Sequence, residues 1–95
     1  MSIQLVVRFK VKAEMVGAFL DILQTSKERI AGAAGCEGVD LLHSNDDPCV
    51  VVLSEKWQSM ALHDEYAAKM RESGALNKLA SFLMDQPAQE IFEIK

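Results

Sequence analysis

A change of hydrophobic period just after Lys12 constrains this chain more than any other feature. Over residues 3–11 the apolar side chains alternate: Ile3, Leu5, Val7, Phe9 and Val11 take one face, and Gln4, Val6, Arg8 and Lys10 the other. Period two with β-branched residues predicts a half-buried strand. From Ala13 the period lengthens. Val16, Phe19, Leu20, Leu23 and Ile30 follow helical spacing, with Asp21, Gln24, Lys27 and Glu28 toward solvent. No Ser, Thr, Asp or Asn stands ready to cap the start of this helix, whereas Gly32 and Gly35 punctuate its end.

The same reading continues along the chain. Residues 37–43 predict a second strand, Ser44-Asn45-Asp46-Asp47-Pro48 a tight turn, and the Val-rich residues 49–57 a third strand paired with the second as a hairpin. Ser59 is placed to cap a second helix running to about Arg71. After Gly74 a short helical segment carries Leu76, Leu79, Ala80 and Leu83, which Pro87 prevents from continuing. Residues 90–94 close the series as a fourth strand. The order β-α-β-β-α-β predicts an α+β, ferredoxin-like single domain over residues 1–95, with two helices on one face of a four-stranded antiparallel sheet.

Composition narrows the function. With 95 residues, 49% hydrophobic and 25% charged, the chain has the make-up of a globular domain. A domain of this size buries roughly 60–70% of its unfolded surface, so a sheet face left open invites a second copy, and a homodimer is expected. Lys+Arg 10 against Asp+Glu 14 leaves a net charge of −4, without the basic patch of a nucleic-acid binder. No apolar run approaches the length that spans a bilayer. The opening MSIQLVVRFK lacks a basic segment ahead of an apolar core, so neither a signal peptide nor a membrane partner is expected, and a cytosolic location is. Cys36 and Cys49 are too few for a disulfide framework or a tetrahedral zinc site. Pairing in the hairpin places Cys36 opposite residues beyond Trp57, which leaves both thiols free. Neither a Gly-x-Gly-x-x-Gly nor a phosphate-loop pattern occurs, so no cofactor is expected.

Three segments carry a resemblance: Gly35-Cys36, then Leu42-His43-Ser44-Asn45-Asp46-Asp47-Pro48, then Leu53-Ser54-Glu55-Lys56-Trp57. Together with Val7-Arg8-Phe9-Lys10-Val11-Lys12 they resemble, in order and over nearly the whole chain, the antibiotic biosynthesis monooxygenase domain family. The resemblance implies a dimeric α+β barrel of ferredoxin-like protomers. It also implies cofactor-independent oxidation of an electron-rich phenol or quinol by O2. The family further includes haem-degrading enzymes and an isomerase of a phosphorylated sugar. Two departures stand out. Where family helices often carry His, nine positions after the strand-end Trp, this chain has Tyr66, and its histidine comes one turn earlier at His63. The Asn that haem-degrading members place before the basic residue of the first strand is Val7, which argues against haem degradation.

His63 is the candidate catalytic residue. Met60, His63, Ala67 and Met70 recur at helical spacing with Tyr66 beside them, so His63 is expected to face the sheet. There imidazole, with an unperturbed pKa near 6.5, suits proton abstraction from a phenol; the alternative is a half-buried helix histidine hydrogen-bonded to backbone. Trp57, Tyr66, Met60, Met70 and Phe9 are the candidate binding residues for a small aromatic or quinol-like ligand, with ordinary core packing as the competing reading for such side chains. His43 is expected as a surface strand histidine, since no metal-ligand spacing joins it to His63. A proton-transfer enzyme such as an isomerase, and a non-catalytic ligand-binding domain, remain the competing readings.

Overall fold

The computed structural model describes residues 2–95, apart from the side chains of Ala75 and Leu76. Strand β1 (Ile3–Lys10) leads through a 3-10 turn (Ala13–Met15) into helix α1 (Val16–Ala31). The hairpin β2 (Cys36–His43) and β3 (Val50–Trp57) follows, then α2 (Met60–Ser73), a short α3 (Ala75–Ala80) and β4 (Ala88–Glu93). The sheet order is β2-β3-β1-β4, antiparallel at every pairing. The ferredoxin-like α+β fold read from the sequence is the fold observed.

Alternation in β1 decides which face is covered. Ile3, Leu5, Val7 and Phe9 are buried under the helices, and register carries that face onto Trp57, Glu55, Leu53 and Val51 of β3. Helix α1 closes the core with Phe19, Leu23 and Ile30; the Phe19 ring meets Phe9 edge-on at 5.1 Å between centroids. As the sequence suggested, α1 has no side-chain cap at its start, while Ser59 Oγ accepts the Leu62 N–H at the start of α2. The opposite face of the sheet is bare among the described residues. It carries Gln4, Val6, Val52 and Ser54 beside Leu42 and Phe92, which are 53% and 45% exposed.

Two local readings are corrected. Cys36 lies opposite Trp57 itself, because a bulge between Cys36 and Gly38 removes one residue from the pairing. Leu83 is not helical: α3 stops at Ala80, and Leu83 bridges Val11, so the backbone beyond the end of β1 finds partners at Phe82 and Met84. Leu76, expected on the same helical segment, has a side chain outside the described residues.

Gly35 is required twice over. Its φ of +88° is left-handed, and a Cβ there would stand 2.5 Å from Leu62 Cδ1 and 2.9 Å from Leu62 Cβ. Gly35→Ala should therefore cost about 2 kcal/mol or more, from left-handed strain and from overlap with α2. A lowered urea midpoint at unchanged slope is the expected reading.

Candidate active site

Helix α2 has 14 residues and buries only His63. A helix that covered the sheet closely would bury a whole stripe. Here Tyr66, Ala67 and Met70 on the inner side are only half-buried, because α2 stands off the sheet and leaves a chamber beneath it. The cavity measures about 980 Å³, at the upper end for small-molecule sites. Leu5, Val7, Phe9 and Leu53 form its apolar floor, α1 and α2 its walls, and α3 with β4 its far end.

One carboxyl group interrupts that floor. Glu55 occupies the covered face of β3, only 6% exposed, and its Oε1 accepts the Trp57 indole N–H at 2.9 Å. Burial raises its carboxyl above the usual range, and the indole hydrogen bond and the nearby His63 imidazole only partly offset this. His63, 8% exposed, lines the same chamber, and its ring stands edge-on to Trp57 at 5.6 Å. Its Nδ1 lies 3.3 Å from Asp64 Oδ1. Donation of an Nδ1–H to that carboxylate leaves the Nε2 lone pair as the basic site. Tyr66 follows on the same face, tilted against Trp57 at 5.6 Å. Burial raises its phenol pKa, with Arg29 opposing, so it stays a neutral hydrogen-bond donor.

The structure thus brings His63, Tyr66, Met70 and Phe9 to one cavity. Trp57 stands behind them, 0% exposed, supporting both active-face rings without lining the chamber. Met60 does not join them: it opens the first turn of α2, 38% exposed and outside the lining. The alternative of a ring bonded to backbone is replaced by the Asp64 contact. His43 is exposed, as expected, with Nε2 2.7 Å from the Pro48 carbonyl. Both cysteines are free, and burial pushes the Cys36 thiol up, away from nucleophilic character. Among the described residues no three His, Cys, Asp or Glu side chains gather as metal ligands, and no helix is long and apolar enough to cross a membrane.

Residues 2–69 match the family model for the antibiotic biosynthesis monooxygenases. The chain belongs to that family. Solved structures share the monooxygenase-family fold at low identity. A conserved protein from Methanosarcina mazei Go1 superposes with a TM-score of 0.91 at 19% identity, covering 100% of this chain and 94% of its own. Rv0793 from Mycobacterium tuberculosis gives 0.89 at 19%, covering 100% and 96%. SnoaB, a cofactor-independent oxygenase from Streptomyces nogalater, gives 0.86 at 16%, covering 99% and 93%. No curated protein matches the sequence.

Within this monooxygenase-family chain, Glu55 is the functional candidate that motif reading passed over. Its signal was the strand period: Val51, Leu53, Glu55 and Trp57 share one face, so a carboxyl group had to enter the core. The raised carboxyl pKa fixes the sign of a pH effect. The folded chain holds the Glu55 proton more tightly, so this stability is complete below the unfolded value near 4.5 and is lost as pH rises through the folded value. Glu55→Gln keeps the acceptor for the indole and cannot ionise. Urea midpoints measured upward from acid should fall in the parent and fall less in the variant; parallel curves would refute the buried carboxyl as their cause.

Proposed function

We propose that this chain is a cofactor-independent monooxygenase oxidising a small electron-rich phenol or quinol, with His63 as base. The observation that carries the reading is His63, Glu55 and Tyr66 meeting in one apolar chamber large enough for a planar ligand. His63 Nε2 takes the phenolic proton, and exclusion of water keeps the phenolate electron-rich. The ring passes electrons to O2 and a carbon–oxygen bond forms, giving a hydroperoxide. Loss of water leaves the quinone. One oxygen atom ends in the product and one in water, the substrate supplies four electrons, and its O–H and C–H hydrogens leave in that water. Glu55, protonated more readily than an exposed carboxyl, is suited to protonating the departing hydroxide, and Tyr66 to holding the substrate oxygen. The description of SnoaB as a cofactor-independent oxygenase supports the chemistry by analogy of fold alone.

Oxygen uptake with a panel of hydroquinones and naphthols, in chelator and without flavin, tests the proposal. Uptake matched by quinone formation is expected; ligand binding without uptake would sink it. An acid and a base facing one chamber also favour a second reading, proton transfer without oxygen. Anaerobic exchange of substrate C–H for deuterium would select it. We further propose a homodimer through the bare sheet face, supported by the exposed Leu42 and Phe92. Sedimentation of the parent as a monomer would overturn that assembly.

A further inference from the structure

Charge is distributed unevenly over this cavity. On a chain where acids outnumber bases 14 to 10, Arg29, Arg71 and Lys78 all line the one chamber, from α1, α2 and α3 respectively. All three are exposed. Among the described residues none of them enters an ion pair or a side-chain hydrogen bond. The acids in the lining are Glu55, buried on the floor, and Asp64, which faces His63 Nδ1. Each of the three cations sits in the last turn of its helix, where the macrodipole favours positive charge. That explains a cation on each helix but does not require all three to border one cavity.

We infer that the ligand of this cavity is an aromatic acid, its ring over the apolar floor and its carboxylate received by Arg29, Arg71 and Lys78. A floor of Leu5, Val7, Phe9 and Leu53 gives apolar contact without orientation, and a charged group held at the edge supplies it. Arg29 sits close enough to influence the Tyr66 phenol, so the cationic border extends to the proposed reacting end. Arginine receives a carboxylate with two parallel N–H donors, an arrangement no neutral ring substituent reproduces. The chain has no Gly-rich loop to cradle a phosphate, which favours the singly charged group. The inference rests on the proposed reaction only for the choice of a quinol ring.

The test is anaerobic calorimetry with 1,4-dihydroxy-2-naphthoate and its methyl ester, which differ in charge at one position. The acid should bind the parent roughly tenfold more tightly than the ester at low salt, and the gap should narrow as salt screens the border. R29Q, R71Q and K78Q should each reduce the preference, and the triple variant should bring acid and ester within about twofold while ester affinity holds. Equal affinities in the parent, a preference indifferent to salt, or no binding of the acid would overturn the inference and leave these cations serving only their helices. The salt series needs no variant, so it decides the matter even if the triple variant does not fold. Selective binding without oxygen uptake would refute the monooxygenase reading alone. Uptake with equal affinities would refute this inference alone.

Discussion

Replacing His63 by alanine should lower the rate of oxygen uptake by roughly 10²–10⁴-fold, the ordinary contribution of a positioned general base, while ligand affinity changes little. The reason lies in what surrounds the imidazole. Its ring stands edge-on to Trp57 and its Nδ1 faces Asp64, so rotation is restricted, and the side chain lines the chamber. Asp64 keeps this orientation from an exposed position, its side chain 65% accessible. A proton taken up at Nε2 therefore has a carboxylate on the far side of the ring and a route to solvent. The variant also leaves a void beside Trp57, so some stability is lost and the rate must be compared at equal folded fraction. Added imidazole separates the two effects: it restores proton abstraction through the vacated space but not packing. Turnover unchanged in the variant would remove His63 from the mechanism. Loss that imidazole fails to restore would make it a packing residue.

Much of this arrangement was legible in the chain, for reasons that differ by element. The alternation of β1 and the Ser44–Pro48 turn fixed strand, face and hairpin, because a one-residue slip would have turned Leu5, Val7 and Phe9 outward. Ser59 marked the start of α2 through the backbone N–H it satisfies. The helix phase of His63, Tyr66 and Met70 was likewise correct, and all three line the chamber. Phase alone misplaced Met60, because periodicity says which side of a helix a residue occupies and not how far the cavity extends along it. The bulge at Cys36 and the bridge from Leu83 to Val11 arise from pairing between distant segments, which no local window contains. The chamber itself is of that kind. Its volume depends on how far α2 stands from the sheet, and the helical spacing of Tyr66, Ala67 and Met70 in the sequence is compatible with either a filled or an open space. Glu55 was different: the strand period alone places it on one face with Val51, Leu53 and Trp57, so its burial was legible in the sequence.

Trp57 is where stability and chemistry are coupled, and its variants separate them. It is the largest fully buried side chain, at 0% exposure. Trp57→Ala should cost about 3–5 kcal/mol, the usual range for emptying a site of this size, measured by urea unfolding. The Phe variant is more informative, since it retains an aromatic wall against His63 and Tyr66 but loses the indole N–H. Glu55 then keeps its burial without that donor, which would drive its carboxyl pKa further upward. Below the unfolded carboxyl range Glu55 is protonated in either protein, and Trp57→Phe should cost mainly the lost volume and a neutral hydrogen bond, about 1–2 kcal/mol. As pH rises, the parent can stabilise an ionised Glu55 through the indole and the variant cannot, so the gap between their urea midpoints should widen. A gap that stays constant across pH would show that the Trp57 N–H does not govern the ionisation of Glu55. In that case the indole serves the fold by its bulk, and the acid on the cavity floor is tuned by burial and by His63 alone.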